Sequence, residues 1–340
     1  MHLQSVPDNV QGLVPMFLQR RMRRVRSRNV QPLLRETTLT KNDFVAPLFV
    51  DETAAAPVPI TSMPGQFRYP VGSITPVAGK LWERGIRAVL LFGIPAHKDE
   101  AATGAYDPEG IVQQAVRRIK SAYPDMVVIT DVCACEYTDH GHCGIVGGTR
   151  CGGKDLLNDE SLLLMNRIAV SHAEAGADIV APSCMLDGMV ASIRAALDDS
   201  GYEDVLIMSY STKFSSALYG PFREAAESGF SFGDRTTYQM NPANAREAFL
   251  ESQLDMEEGA DILMVKPAGP YLDVLADVAK LGLPVAGYQV SGEYSMIKAA
   301  AERGWIKEKE TVLEILTCIK RAGADLIITY FAYDACRWLE

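Results

Sequence analysis

Eight apolar runs of strand length, separated by segments of helical periodicity, leave this chain few folds to choose from. The runs are Phe44–Val50, Ala88–Ile94, Met126–Val132, Asp178–Pro182, Val205–Ser209, Ile262–Val265, Val285–Val290 and Leu326–Phe331. Between them, Ile111–Ala122, Leu162–Ala175, Tyr271–Leu281 and Thr311–Arg321 place apolar residues three and four apart, as helices do when one face covers a core. Strand and helix in alternation imply a parallel sheet. Eight such units predict an α/β fold closed into a (β/α)8 TIM barrel. An open doubly wound sheet is the competing architecture, but no Gly-x-Gly-x-x-Gly follows the first strand. Gly176-Ala177-Asp178, Gly259-Ala260-Asp261 and Gly323-Ala324-Asp325 each fall between a helix and a strand. A glycine there supplies a left-handed helix stop, and the irregular spacing of the triplets reads as shared turn chemistry rather than an internal repeat.

Two segments stand outside this alternation. Residues 1–36 hold a basic cluster, Arg20, Arg21, Arg23, Arg24, Arg26 and Arg28, in a chain of net charge −10. The cluster fits a targeting peptide, a nucleic-acid arm, or an extended N-terminal arm that lies on an acidic neighbouring subunit; charge complementarity favours the last. The barrel is then expected over 37–340. The connection from Lys213 to Gly259 is too long for one helix and is rich in Phe, Tyr and Gly, so a lid is expected at about 214–240.

The overall negative charge argues against nucleic-acid binding through the general surface. No apolar run approaches the ~20 residues that span a bilayer, and no signal-peptide core is seen, so a cytoplasmic enzyme without membrane contact is expected. Seven cysteines, an odd number, point to reduced thiols or metal ligation rather than a disulfide framework.

In a barrel of this kind chemistry gathers at the C-terminal ends of the strands. Those ends offer Asp131, Cys133 and Cys135; Ser183 and Cys184; Ser209, Tyr210 and Lys213; Lys266; Tyr288 and Ser291; and Tyr330. Lys266 ends the run Ile262–Val265, and Pro267 stops the ladder after it. A strand-end lysine ordinarily snorkels to water. A second lysine on the adjacent strand, ~4.8 Å away, changes the balance: burial and mutual repulsion both lower an amine pKa. Such an amine attacks ketones to form a Schiff base, and both amines are expected to be uncharged in one cavity. Cys133, Cys135 and Cys143, with His140 and His142 between them, read as a metal site. Thiolates select zinc. Three ligands leave an open catalytic position, whereas His142 as fourth ligand would make a closed structural site. Arg223 and Arg235 in the expected lid suit a substrate carboxylate.

Four blocks make the chain resemble the porphobilinogen synthase (5-aminolevulinate dehydratase) family: Asp131–Cys143 (DVCACEYTDHGHC), Ser211–Arg223 (STKFSSALYGPFR), Met264–Gly269 (MVKPAG) and Tyr288–Tyr294 (YQVSGEY). The likeness runs from about Arg20 to the C-terminus. It implies that two molecules of 5-aminolevulinate are joined into a pyrrole with loss of two waters, in tetrapyrrole (haem, chlorophyll or corrinoid) biosynthesis. Lys266 would hold the substrate that becomes the propionate side, and Lys213 the other. Ser291 and Tyr330 would bind the first carboxylate; Arg223, Arg235 and Gln239 the second. Tyr219 and Phe222 would line the substrate pocket; Asp131 and Ser183 would line it too and help proton transfer. Cys133, Cys135 and Cys143 match the zinc-dependent branch. Glu251 matches the position where bacterial members bind an allosteric magnesium. The family assembles as homo-octamers through its N-terminal arm. Thr237 stands where members with a second zinc site have cysteine, Cys184 where many have aspartate, and Cys151 lies in a glycine-rich insert. A class I aldolase on the same barrel is the alternative, but it needs one Schiff-base lysine and no thiolate metal site. A zinc-stabilised protein whose arm contacts nucleic acid is a third reading, disfavoured by the acidic remainder.

Overall fold

The computed structural model describes residues 24–148 and 153–340. Two compact units, Met1–Thr38 and Leu39–Glu340, are distinguished. In the described part of the first, Gln31–Leu34 form one 3-10 turn with no buried residue, and Arg24, Arg26 and Arg28 are exposed. Arg20, Arg21, Arg23 and Cys151 lie outside the described residues.

The second unit is the barrel. Its strands are β1 (Phe44–Asp51), β2 (Ala88–Ile94), β3 (Val127–Val132), β4 (Ile179–Pro182), β5 (Leu206–Lys213), β6 (Ile262–Lys266), β7 (Val285–Gln289) and β8 (Leu326–Thr329). All pair in parallel with their sequence neighbours, and β8 pairs with β1 to close the ring. The strands are buried along most of their length, which explains why they read as continuous apolar runs rather than alternating ones. The principal barrel helices are α1 (Ile74–Arg84), α2 (Ile111–Ala122), α3 (Asn158–Glu174), α4 (Met189–Asp199), α5 (Gly220–Ala225), α6 (Ala245–Glu257), α7 (Leu272–Val278), α8 (Ser291–Glu302), α9 (Glu308–Arg321) and α10 (Ala332–Trp338). No described helix is long and apolar enough to cross a membrane.

The three Gly-Ala-Asp triplets do the same work at β4, β6 and β8. Gly176, Gly259 and Gly323 have φ of 101°, 104° and 119°, a left-handed stop that a Cβ disfavours. The aspartate that follows then fixes register. Asp178 accepts the Val128 N–H at 2.7 Å, Asp261 that of Ile207 at 2.8 Å, and Asp325 that of Val285 at 2.9 Å. Each aspartate also donates its own N–H to the same residue's carbonyl. Within each triplet the glycine therefore ends a helix turn and the aspartate pins the new strand to the preceding one.

β5 runs four residues beyond the apolar stretch that marks it in the sequence. Ser211, Thr212 and Lys213 break the hydrophobic pattern but remain paired. Thr212 Oγ1 meets Ser252 Oγ of α6 at 2.9 Å, and the Ser211 hydroxyl contacts both the N–H and the carbonyl of Met264. A register shift lies here: Ser209 faces Leu263, yet Lys213 faces Lys266. The extra residue in β5 is a bulge. Without it Thr212 would oppose Lys266, and Lys213 would point to the other face of the sheet.

Replacing Gly259 by Ala is expected to cost about 1–2 kcal/mol through backbone strain, since the new methyl meets the Arg194 side chain no closer than 3.5 Å, an ordinary contact. Thermal unfolding should show a Tm lower by a few degrees; an unchanged Tm would refute the helix-stop role.

Candidate active site

The bulge places two lysines side by side at the C-terminal end of the barrel. Both are 5 % exposed, and both line one cavity with Phe92, Asp131, Ser183, Tyr219, Phe222 and other groups discussed below. Four aromatic rings surround the Lys266 amine: its Nζ lies 4.4 Å from the Tyr288 centroid, 4.8 Å from Tyr210, 5.2 Å from Phe222 and 5.4 Å from Tyr219. Burial, followed by repulsion from Lys213, lowers its pKa to about 7. Asp131, Glu136 and Cys135 oppose the shift.

Lys213 behaves differently from the sequence expectation of two uncharged amines. Burial pushes its amine down, but Cys143, Cys133 and Asp131 together outweigh burial and hold it above its ordinary value. Its Nζ donates to the Ser183 carbonyl at 2.5 Å. The reason is placement: Lys213 faces the thiols, whereas Lys266 faces rings. Of the two amines, Lys266 therefore gives up its proton the more readily, and Lys213 the less.

Asp131, at the end of β3, accepts a hydrogen bond from Ser183 Oγ at 3.1 Å. Burial raises its pKa, opposed by Lys213 and Lys266. The loop that follows β3 turns the thiols of Cys133, Cys135 and Cys143 toward one point, all within 4.8 Å of one another. The Cys133 and Cys135 sulfurs are 3.3 Å apart. Hydrogen bonding from Cys133, then Cys135 and Cys184, drives the Cys143 pKa well below the ordinary thiol range. A tetrahedral ion with bonds of about 2.3 Å needs sulfurs about 3.8 Å apart; the donor set fits a thiophilic divalent metal. His142 does not join it. Its Nδ1 meets Tyr238 Oη at 3.1 Å and its Nε2 meets the Phe232 carbonyl at 3.0 Å, so both ring nitrogens are engaged and the closed site with His142 as fourth ligand is excluded.

The segment after β5 packs across this end. Phe222 N–H donates to Ser291 Oγ at 3.0 Å, and Ser291 Oγ donates to the Leu218 carbonyl at 3.3 Å. Tyr219 Oη donates to the Lys266 carbonyl at 3.2 Å. Ser231 N–H reaches the His140 carbonyl at 3.0 Å. Arg235 is buried and donates to the carbonyls of Gly141 and Ser228, both at 2.8 Å. Burial pushes its pKa down, but Cys143 and Cys135 hold the guanidinium well above its ordinary value. Arg223 is half-buried and shifts downward through burial and the nearby Arg235. The Nε atoms of both arginines and both amide atoms of Gln239 are buried without a hydrogen-bond partner among the described residues.

Not every candidate lines this cavity. Ser291 touches its wall from α8. Tyr330 Oη lies 3.3 Å from Tyr288 Oη, and its ring stacks at 6.1 Å on Phe49, but it opens onto a separate cleft. Gln239 lines a cavity of about 400 Å³ with Thr237, Asp155, Asp187, Glu247 and Glu251. There Thr237 Oγ1 donates to Asp155 at 3.0 Å. Glu251 is half-buried, and burial, Asp187 and Glu247 raise its pKa. Glu136 escaped the sequence reading. It lines the lysine cavity, and burial, then Asp131 and Cys143, push its carboxyl up to about 7. Its only signal was adjacency to Cys135, and the direction of a loop side chain is not legible from spacing.

A (β/α)8 barrel whose strand ends join a buried lysine of lowered pKa, a second lysine and a thiol cluster has the groups that an enzyme needs for Schiff-base chemistry on a carbonyl. The profile of the family "Delta-aminolevulinic acid dehydratase" matches residues 19–338. Curated relatives of that name include one from Archaeoglobus fulgidus, 53% identical over 94% of this chain and 98% of its own. One from Bacillus subtilis is 53% identical over 94% of this chain and 98% of its own. Among solved structures, the delta-aminolevulinic acid dehydratase (porphobilinogen synthase) of Toxoplasma gondii, in complex with the reaction product porphobilinogen, superposes with a TM-score of 0.91. It is 42% identical and covers 95% of this chain and 92% of that one. The chain belongs to the delta-aminolevulinic acid dehydratase family, and is a lyase with porphobilinogen synthase activity.

Gly141, at φ 73°, lets the thiol loop approach the segment after α5: an added Cβ would lie 2.2 Å from the Gly229 carbonyl oxygen. Gly141→Ala should therefore loosen residues 228–235. Limited trypsin digestion is expected to cut after Arg235 on the order of 10-fold faster than in the parent; an unchanged rate would show that this contact does not hold the segment.

Proposed function

We propose that Lys266 and Lys213 each hold one 5-aminolevulinate as a Schiff base, and that Lys266 reacts as the free amine. The observation that carries this is the register pairing of Lys266 with Lys213 inside one cavity. Each amine attacks a ketone carbon, and collapse of each carbinolamine to the imine releases one water, matching the two waters lost when the pyrrole forms. Both lysines return as amines when the new carbon–carbon and carbon–nitrogen bonds take over the carbons they held. Asp131, hydrogen-bonded to Ser183, lies where protons must move between the two substrates.

Arg223, Arg235 and Gln239 are read as the carboxylate partners of one substrate, supported by their buried, unpartnered N–H groups. Ser291 and Tyr330 are read as those of the other. Tyr219 and Phe222 wall the pocket on the side of Lys266. The cavity has a volume of about 20 Å³, room for roughly one water. Two substrates therefore enter only if residues 214–240 move, which makes this segment the lid.

The three thiols suit zinc over harder ions, with Cys133, Cys135 and Cys143 as its ligands. When bound, zinc supplies a Lewis acid for a substrate carbonyl or amine and offsets the thiolate charge that keeps Lys213 protonated. A metal centre of reduced thiols fits a cytoplasmic enzyme. The family resemblance further supports a homo-octamer assembled through an N-terminal arm of residues 1–36, with residues 37–340 as the catalytic barrel. It also supports allosteric magnesium at Glu251, beside the carboxylates of Asp187 and Glu247.

Borohydride reduction in the presence of 5-aminolevulinate should attach the substrate covalently to Lys266, located by peptide mass. Labelling should rise about tenfold per pH unit below 7 and level off above it, because only the unprotonated amine attacks. Label on a lysine outside the pair, with turnover intact, would sink the proposal. Lys266→Arg should abolish labelling there and lower kcat by at least about 1000-fold, since guanidinium is not a nucleophile at neutral pH. Removing metal with a chelator should lower kcat roughly 100-fold or more, recoverable with zinc, while Lys266 labelling persists.

A further inference from the structure

We propose that Glu293 is a positioning residue that fixes the distance between Lys266 and Ser291, and so sets the length of keto acid that the site accepts. The proposal rests on the reading of Lys266 and Ser291 as holding the two ends of one 5-aminolevulinate. It adds a residue that touches neither end of the substrate but ties together the two segments that present those ends.

Glu293 stands in the first turn of α8 and is 7 % exposed. Its Oε2 accepts the Val290 N–H at 2.8 Å. A glutamate in the first turn commonly reaches back in this way to the residue before the helix, and that contact alone would make it a helix cap. The other oxygen is what a cap does not explain. Oε1 accepts the Gly269 N–H at 3.1 Å, across 24 residues of chain. Gly269 lies in the turn that follows Lys266, and Val290 immediately precedes Ser291. Position 269 has to be glycine for this contact, since an added Cβ there would lie 2.0 Å from Glu293 Oε1. The neighbouring Ala268 N–H donates to the Tyr288 carbonyl at 2.8 Å, so the turn after Lys266 is fastened to β7 and to the start of α8 at adjacent residues.

The substrate makes this spacing matter. 5-Aminolevulinate carries its ketone and its carboxylate two methylenes apart. With the ketone carbon bonded to Lys266 and the carboxylate at Ser291, the chain between them is held at both ends by different strand–helix units. On the Ser291 side, the hydroxyl is seated by Phe222 and Leu218 of the segment after β5. Gly292 presses on the same segment, where an added Cβ would lie 2.5 Å from the Leu218 carbonyl oxygen. Those contacts belong to the lid and are given up when it opens. The two bonds of Glu293 involve no lid residue, so they keep Lys266 and Ser291 at one separation while substrate enters. A misplacement of about 1 Å between reacting groups costs on the order of 100-fold in rate. Glu293 and Gly269 also line a cavity of about 610 Å³, so a changed side chain at 293 meets space rather than a packed wall.

The test is borohydride trapping of two keto acids on Lys266 of the full-length enzyme, read by peptide mass. 4-Oxopentanoate has the ketone-to-carboxylate spacing of 5-aminolevulinate, and 5-oxohexanoate has one methylene more. The parent should trap the first about 10–200-fold more efficiently, the discrimination that one methylene provides. Glu293→Gln presents an acceptor to only one of the two N–H groups, and Glu293→Asp is too short to span both. Each should cut the preference for 4-oxopentanoate roughly 10-fold. A helix cap alone would lower the Tm and leave the preference as in the parent; that result in both variants would overturn the proposal. Ser291→Ala separates the two readings. A preference lost in Ser291→Ala but parental in both Glu293 variants would overturn the role of Glu293 alone. A preference unaltered in Ser291→Ala, or no trapping on Lys266 in the parent, would overturn the substrate reading beneath it as well. Two variants of different length keep the test decisive where one folds poorly.

Discussion

The meeting of two lysines at one end of this barrel depends on one extra residue in β5. Parallel strands in register send paired side chains to the same face, so Lys213 and Lys266 meet only because the ladder slips between Leu263 and Val265. The Ser211 hydroxyl bridging both backbone groups of Met264 and the Thr212–Ser252 contact hold that slip in place. Were the strands paired without interruption, one lysine would leave the cavity. The environments around the two amines then differentiate them: rings and desolvation for Lys266, thiols and a carboxylate for Lys213.

The same end of the barrel is tied together from several elements. Arg235 bridges the thiol loop to residue 228 through two carbonyls, and His142 spends both ring nitrogens on Tyr238 and Phe232. A histidine that looked available for metal is instead a clasp between the thiol loop and the segment above it. Glu293 plays a comparable part on the far side. Its buried carboxylate accepts the N–H groups of Gly269 at 3.1 Å and Val290 at 2.8 Å, joining the turn after Lys266 to the start of α8, where Ser291 sits. Burial pushes that carboxyl up to about 7, while the two N–H groups oppose the shift.

The barrel itself was legible because its strands are buried on both faces and its helices on one, so each announces itself by period. The Gly-Ala-Asp triplets were legible as helix stops, since the left-handed turn is a local demand. Their second task, anchoring each strand to the previous one, was not, because the partner N–H lies on another strand. The end of β5 was misplaced for a related reason: Ser211 and Thr212 look like a loop until the hydroxyls that satisfy them are seen. Gln239 and Tyr330 occupy clefts beside the lysine cavity rather than its wall, and Glu136 enters it unannounced.

By itself the sequence determined the alternation of strands and helices, the lysine at the tip of β6, and three thiols close enough in the chain to reach one ion. These are matters of residue type and short spacing, which covalent geometry carries directly. Tertiary structure alone decided that the second lysine shares a face with the first and that its charge answers to the thiols. It also decided that Cys184 stands 3.6 Å from Cys133 across 51 residues of chain. Each of these depends on register between strands and on the field from groups remote in sequence, and no local pattern encodes either.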